Sequence, residues 1–135
     1  MQEHILIVDD QNDLLLILRK ALEHQGYRVS QASGGEEALQ TLAGEVPDLI
    51  VSDVAMPDLD GFELVQRVRR DRRLVGVPVI FLTALASHDT EMRARACGVD
   101  GFMAKPCNSH RLLAMVRGTL ERCAPATRGR HLTDS

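Results

Sequence analysis

Polar side chains with the chemistry to bind a metal ion or a phosphoryl group follow four of the hydrophobic runs in this chain. Asp9 and Asp10 come after HILIV, Asp53 after DLIVS, Thr83 after VPVIFL and Lys105 after GFMA. In an open parallel sheet, ligands bind in the crevice outside the carboxyl ends of the strands. We therefore expect these side chains to lie close together in space, although they are far apart in the sequence. Three carboxylates, a hydroxyl and an ammonium gathered there indicate divalent-metal and phosphate chemistry.

The loop at residues 9–12 reads DDQN, without the glycine-rich or hydroxyl-rich pattern that presents backbone N–H groups to a phosphate. Two adjacent carboxylates repel phosphate unless a cation intervenes, and a hard cation with few carboxylate ligands and several waters is typical of Mg²⁺. A carboxylate such as Asp53 can then act as a nucleophile towards phosphorus. Lys105 could pair with a phosphoryl oxygen or with Asp53 itself, and Thr83 could donate a hydrogen bond to the same oxygen.

Hydrophobic periodicity predicts five strands that alternate with five helices. The predicted strand and helix pairs are 3–9 and 12–25, 27–32 and 36–44, 48–53 and 61–71, 78–84 and 89–98, 101–105 and 109–123. Strands with nearly continuous Ile, Val and Leu are typical of a parallel sheet covered on both faces. Asp60, with Glu63 three positions on, is a predicted N-cap of the third helix. The sequence therefore predicts an α/β fold, a doubly wound parallel sheet between two layers of helices.

The composition indicates one globular domain. The 135 residues suit a single core, predicted over residues 1–123, and residues 124–135 are expected to form a flexible tail or the start of a linker. A net charge of -3 and 3% aromatic residues argue against nucleic-acid binding by this segment. Short apolar runs and the N-terminal residues argue against a membrane span or signal peptide, so we expect a cytoplasmic location. The three cysteines lack zinc or disulfide spacing and are interpreted as reduced packing residues.

From about residue 3 to residue 123, the chain resembles the receiver domain of bacterial two-component response regulators. The matching motifs are Asp9-Asp10, Asp53-Val54-Ala55-Met56-Pro57 with Asp60-Gly61 beyond it, Thr83-Ala84 and Lys105-Pro106. The resemblance implies a sheet with strand order 2-1-3-4-5. It also implies a signalling switch rather than an enzyme, with self-catalysed phosphorylation and slow loss of the phosphoryl group as its only chemistry.

The resemblance assigns metal-binding roles to the acidic residues. Asp53 corresponds to the phosphoacceptor, and Asp10 and Asp53 correspond to direct Mg²⁺ ligands together with the main-chain carbonyl of Ala55. Asp9 corresponds to a carboxylate that supports the metal through water, and Mn²⁺ can substitute for Mg²⁺. The expected cofactor is therefore a divalent cation held by oxygen ligands.

The resemblance also implies a conformational switch. Thr83 and Lys105 correspond to the pair that contacts the phosphoryl group, and Thr83 and Phe102 to the switch residues. Their movement would alter the face formed by the fourth helix, fifth strand and fifth helix. The Lys105-Pro106 bond is expected to be cis. The residues expected to shape the loops are Met56, Pro57, Gly61 and Pro106.

Two positions bear on the lifetime of the phosphorylated state. By analogy with the family, the residues two after the phosphoacceptor and two after the threonine orient the hydrolytic water, and here they are Ala55 and Leu85. Neither side chain can form a hydrogen bond. We therefore expect slow self-dephosphorylation.

The implied partners are a sensor histidine kinase or phosphotransfer protein, which donates the phosphoryl group, and an output domain or downstream protein. Phosphorylation-dependent homodimerisation is a further option, and the chain could be a stand-alone receiver or part of a longer regulator. A phosphatase of the haloacid dehalogenase type would need a second carboxylate where Ala55 follows Asp53 and Val54. A flavodoxin-like carrier would need a phosphate loop after the first strand. The remaining alternative is a receiver-shaped module that has lost phosphorylation.

Overall fold

The computed structural model describes residues 2–106 and 108–127, with side chains described as far as residue 123. Strands and helices alternate along this part of the chain. The strands are β1 His4–Val8, β2 Arg28–Ala32, β3 Leu49–Ser52, β4 Val79–Thr83 and β5 Gly101–Ala104. The helices are α1 Asn12–His24, α2 Gly35–Gly44, α3 Gly61–Arg70, α4 His88–Ala96 and α5 Ser109–Thr127.

The five strands form one parallel sheet in the order β2-β1-β3-β4-β5, which confirms the predicted fold. Strands β1, β3 and β4 are buried along their whole length, as their apolar sequences require. Since all five strands run in the same direction, the residues that follow them lie along one edge of the sheet. We call this the carboxyl edge, and the side where the strands begin the amino edge.

The two faces of the sheet have separate apolar cores. Alternation along β1 sends Leu6 and Val8 into the core under α2, α3 and α4, and Ile5 and Ile7 into the core under α1 and α5. Helix α4 is the least embedded of the helices, because Ala94 is its only buried residue. The helical layers on both faces leave the two edges of the sheet as the places where polar groups meet solvent.

The helix ends follow the predicted capping with one difference. Asp60 accepts a hydrogen bond from Glu63 N at 2.9 Å, which confirms the predicted cap of α3. Helix α5 continues to Thr127, beyond the predicted end at residue 123. The predicted helix ended where the apolar stripe stops and Pro125, which has no N–H to donate, follows, but α5 nevertheless continues past this point. The tail expected from residue 124 therefore begins with helix, and its residues 128–135, like Cys107, lie outside the described residues.

None of the helices in the described part of the chain has the length and apolar character needed to cross a bilayer.

Candidate metal and phosphate site

The carboxyl edge brings together the residues predicted from the strand ends. Asp9, Asp53 and Thr83 are all buried, with at most 7% of each residue exposed. The Nζ atom of Lys105 lies 2.7 Å from Asp9 Oδ2 and 3.0 Å from Asp53 Oδ2. Asp10, next to Asp9, is exposed at the mouth of the site. The structure thus places the acidic residues and the lysine in one cluster.

The three carboxylates fit a hard divalent cation. One oxygen from each of Asp9, Asp10 and Asp53 lies within 4.8 Å of the others. Because Asp10 is exposed, a cation at this position could keep several water molecules, as Mg²⁺ prefers. Three carboxylates and one ammonium leave two net negative charges, which one divalent cation would neutralise. Ala55 lines the same pocket as Asp10 and Asp53, and its backbone N lies 3.4 Å from Asp53 Oδ1.

Burial and pairing act in opposite directions on the ionisable groups. Burial raises the pKa of Asp9, although hydrogen bonds from Lys105 and Gln11 partly offset the effect. Burial alone would lower the pKa of Lys105, but the hydrogen bonds to Asp9 and Asp53 outweigh it and the pKa is raised. Lys105 therefore stays cationic at neutral pH, as a partner for anionic oxygens must.

Backbone contacts orient the carboxylate of Asp53. Its Oδ1 atom accepts hydrogen bonds from Val54 N at 2.7 Å and from Ala55 N at 3.4 Å, while Oδ2 faces Lys105. The N-terminus of α3 packs against this turn, and a Cβ atom at Gly61 would lie 2.5 Å from Asp53 O. Only glycine allows this close approach, which gives Gly61 a physical reason to shape the loop.

Asp58 is a structural residue of the same loop that the sequence did not predict. Its two carboxylate oxygens accept hydrogen bonds from Gly35 N at 3.1 Å and Glu36 N at 3.0 Å, which caps α2. The N-cap residue of α2 is Gly34, which has no side chain to do this. The missing local cap was the available signal, but it could not identify a partner so distant in the sequence. Of the other loop residues, Met56 is half-buried against the core and Pro57 is exposed.

The two predicted switch residues, Thr83 and Phe102, do not contact the acidic cluster through a side-chain hydrogen bond: Thr83 is bonded within its own loop, and Phe102 has no polar side-chain atom. The hydroxyl of Thr83 accepts a hydrogen bond from Leu85 N at 3.0 Å, so it serves its own loop. Phe102 is half-buried beside Phe81, its neighbour across β4 and β5. The Lys105-Pro106 peptide bond is cis, as the resemblance implied. Thr83 thus ends β4 at the carboxyl edge, whereas Phe102 lies within β5.

A pocket of about 600 Å³ opens beside Asp53. Its wall is largely apolar and comes from α1, the end of β4 and the start of α5. The apolar lining residues are Leu14, Ile17, Leu18, Ala55, Leu82, Ala84, Pro106 and Leu112. On α1, Leu16 and Ile17 are more than half exposed, at 51% and 57%. An apolar surface therefore adjoins the carboxylate cluster.

The hydrogen bond between Gln11 and Lys105 is a second contact that the sequence did not predict. Its side-chain Oε1 accepts a hydrogen bond from Lys105 Nζ at 3.2 Å. The loop at 9–12 was interpreted through its two carboxylates, and nothing in the residue type of Gln11 indicated a contact with the end of β5.

The fold and the acidic cluster together define a receiver domain. The chain belongs to this family, because the family model described as response regulator receiver domain matches residues 5–117. It is 39% identical over 134 residues to the probable transcriptional regulator ycf27 of Guillardia theta, covering 99% of this chain and 52% of that protein. It is also 41% identical to an uncharacterized 14.6 kDa protein of Leptolyngbya boryana, covering 86% of this chain and 88% of that protein.

The solved structures agree with this assignment. A CheY-like response regulator receiver domain protein from Methanospirillum hungatei JF-1 matches with a TM-score of 0.87 and 29% identity, over 93% of this chain and 99% of that one. The chain spans about half the length of several curated relatives, between 47% and 55%. Family membership leaves the phosphatase and flavodoxin-like alternatives without support. The alternative of a receiver that has lost phosphorylation is a separate question.

Proposed function

We propose that this receiver accepts a phosphoryl group on Asp53 from the phosphohistidine of a sensor histidine kinase or phosphotransfer protein. The observation that carries the proposal is the position of Lys105 Nζ, 3.0 Å from Asp53 Oδ2, within a cluster of three carboxylates. Transfer breaks the N–P bond of the donor and forms an O–P bond at Asp53, and the imidazole keeps the electron pair. The attacking carboxylate oxygen loses negative charge as the O–P bond forms, while the transferred phosphoryl oxygens bring negative charge to the site, and Lys105 is placed to compensate it.

Mg²⁺ or Mn²⁺ would be held by Asp10, Asp53 and the main-chain carbonyl of Ala55, with Asp9 contacting it through water. The bound cation supplies charge neutralisation for the transferring phosphoryl oxygens. The backbone N–H groups of Val54 and Ala55 fix the carboxylate of Asp53 for attack. The exposed Ile17 on α1 and the apolar pocket that it lines give a protein donor a surface beside Asp53.

The switch that we propose starts at Thr83. Its hydroxyl hydrogen can be donated to a phosphoryl oxygen once the side chain leaves Leu85 N. Phe102 would then move inward and alter the face formed by α4, β5 and α5. The shallow packing of α4, with Ala94 as its only buried residue, supports a low energetic barrier to such a change.

The changed face would control an output domain or a downstream protein, with phosphorylation-dependent homodimerisation as one form of that control. Several relatives are named as transcriptional regulators and are about twice as long as the matched segment, which favours transcription as the output. The domain itself acts as a switch, and its only chemistry is phosphorylation and loss of the phosphoryl group.

Intact mass after incubation with acetyl phosphate tests the proposal directly. We expect a gain of one phosphoryl group with Mg²⁺, and no gain without Mg²⁺ or in Asp53→Asn. Asp60→Asn is the matched control, since Asp60 is an exposed aspartate whose capping role asparagine can keep. A purified histidine kinase provides a second donor. Absence of modification with both donors, in a wild-type protein that binds Mg²⁺, would favour the module that has lost phosphorylation.

The lifetime of the phosphorylated state can be tested in the same assay. Ala55 and Leu85 offer no side-chain group to orient water, and Leu85 is half exposed. We expect slow loss of the phosphoryl group in Mg²⁺, and faster loss in Ala55→Asn, which introduces an amide beside Asp53. An unchanged rate in this variant would mean that water is oriented by other groups.

A further inference from the structure

The ammonium of Lys105 has three acceptors in this structure. They are Asp9 Oδ2 at 2.7 Å, Asp53 Oδ2 at 3.0 Å and Gln11 Oε1 at 3.2 Å. A lysine ammonium has three N–H donors, so these contacts account for all of them. Two acceptors are carboxylates of the acidic cluster. The third, Gln11, is the only neutral side chain that accepts a hydrogen bond from Lys105 among the described residues.

Gln11 is connected to the site at both its main chain and its side chain. Its backbone N–H donates to Asp9 Oδ1 at 2.9 Å, and its side-chain oxygen accepts from Lys105. Gln11 is also the N-cap residue of α1, but its side chain makes no capping hydrogen bond. Shorter residues such as Ser, Asp or Asn are preferred at this position because they cap the helix. The side chain of Gln11 is therefore used for the lysine and not for the helix.

The neutral charge of Gln11 matters for the cation. The carboxylates and Lys105 leave two net negative charges, which suits one divalent ion. A glutamate at position 11 would accept the same hydrogen bond, but it would raise the net charge of the site from two to three negative charges. Glutamine thus restrains the lysine without changing the charge balance of the metal site.

We propose that Gln11 is a positioning residue for phosphoryl transfer, an inference that rests on the proposed function. When the bond from the donor to phosphorus breaks and the O–P bond at Asp53 forms, one N–H of Lys105 moves from Asp53 Oδ2 to a phosphoryl oxygen. The hydrogen bonds to Asp9 and Gln11 persist and keep the ammonium beside Asp53. Gln11 acts through Lys105 and does not itself contact the phosphoryl group.

Rates with acetyl phosphate and Mg²⁺ affinity separate this role from a structural one. For Gln11→Ala we expect transfer at saturating Mg²⁺ to slow about three- to tenfold, the loss expected for an exposed hydrogen bond to a charged group. The dissociation constant for Mg²⁺ should stay unchanged, because no charge is removed. Gln11→Glu should bind Mg²⁺ more tightly. Gln66→Ala and Gln66→Glu, on the exposed face of α3, are the matched controls.

Lysine NMR provides a readout that does not depend on activity. The chain contains only two lysines, Lys20 and Lys105, so ¹⁵N relaxation of the two Nζ groups can be assigned by one substitution. We expect the Lys105 ammonium to become more mobile in Gln11→Ala and to stay ordered in Gln11→Glu, with the exposed Lys20 unchanged in both.

The outcomes distinguish the two levels of the proposal. Normal transfer and an ordered Lys105 in Gln11→Ala would overturn the role of Gln11 and leave the proposed function intact. Slow transfer with an ordered Lys105 would also overturn it, since the effect would not pass through the lysine. Failure of the wild type to accept a phosphoryl group would overturn both the proposed function and the role of Gln11.

Discussion

Both edges of the sheet carry charged side chains, but the two edges use them differently. At the amino edge, Asp48 Oδ2 accepts a hydrogen bond from His4 N at 2.7 Å, and Asp100 Oδ2 accepts one from Val79 N at 2.8 Å. These carboxylates satisfy backbone N–H groups where β1 and β4 begin. Arg69 adds hydrogen bonds to backbone carbonyls in the neighbouring loops. The charges at this edge therefore complete the backbone hydrogen bonding of the fold.

At the carboxyl edge the carboxylates face one another and a single cation. Asp9 and Asp53 share Lys105, and Asp10 adds a third negative charge at the mouth of the site. Such a cluster is unfavourable for folding until a ligand neutralises it. The contrast indicates that one edge stabilises the fold, while the other sacrifices stability for binding.

Asp100→Ala at the amino edge should have the largest effect on stability. The change leaves the N–H of the buried Val79 without its acceptor and removes one partner of Arg69. We expect the free energy of unfolding to fall by about 1–3 kcal/mol, as for other buried donors that lose their partner. Urea unfolding measures this change. Asp89→Ala, at an exposed position in α4, is the control and should change stability by much less.

Mg²⁺ should stabilise the fold through the carboxyl edge alone. At a Mg²⁺ concentration ten times the dissociation constant, we expect about 1.4 kcal/mol of added stability in the wild type. Asp53→Asn should lose this increment, because a ligand of the cation is removed. Asp100→Ala should keep it in full, despite its lower starting stability. Equal stabilisation of both variants would show that the cation binds elsewhere.

His4, at the amino edge, should make the stability of the fold depend on pH. His4 is buried, and its Nε2 lies 2.7 Å from Ser30 Oγ. Burial is the main cause that lowers the pKa of His4 below 6.5. The charge of Arg28 lowers this pKa further, whereas the charges of Glu45 and Asp48 raise it. As the pH falls below about 6.5, His4 in the unfolded chain binds its proton before His4 in the folded chain does. The free energy of unfolding should therefore fall as the pH decreases, by less than the one-proton limit of about 1.4 kcal/mol per pH unit.

Urea unfolding between pH 7.5 and pH 5 measures this slope, with His4→Gln as the test variant. Glutamine cannot take up the proton, so the variant should have a flatter profile than the wild type. His88→Gln, at an exposed position at the start of α4, should leave the profile unchanged. A wild-type slope in His4→Gln would assign the pH dependence to other groups.

The charged cluster at the carboxyl edge was largely predictable from the sequence, but the contacts between its loops were not. Asp53 and Lys105 each follow an apolar run directly, so the parallel topology alone brings them together. The contacts of Asp58 with α2 and of Gln11 with Lys105 link residues 22 to 94 positions apart. They depend on which loops become neighbours and on side-chain direction, and local patterns do not encode either. The end of α5 was missed because the loss of the apolar stripe and Pro125 both indicate an earlier end than the structure shows.

Asp9→Asn at the carboxyl edge should have the smallest effect on stability, and of the opposite sign to Asp100→Ala. Burial raises the pKa of Asp9, so the folded chain binds more protons than the unfolded chain just above the ordinary aspartate pKa, and the ionised form lowers stability at neutral pH. Asparagine removes that charge and can still accept the hydrogen bond from Gln11 N, but its NH2 group replaces the acceptor Asp9 Oδ2 beside Lys105, which offsets part of the gain. Lys105 retains Asp53 and Gln11 as acceptors. Without divalent ions we expect a gain of up to about 1 kcal/mol in urea unfolding, together with weaker Mg²⁺ binding. A loss as large as that of Asp100→Ala would mean that the acidic cluster also supports the fold.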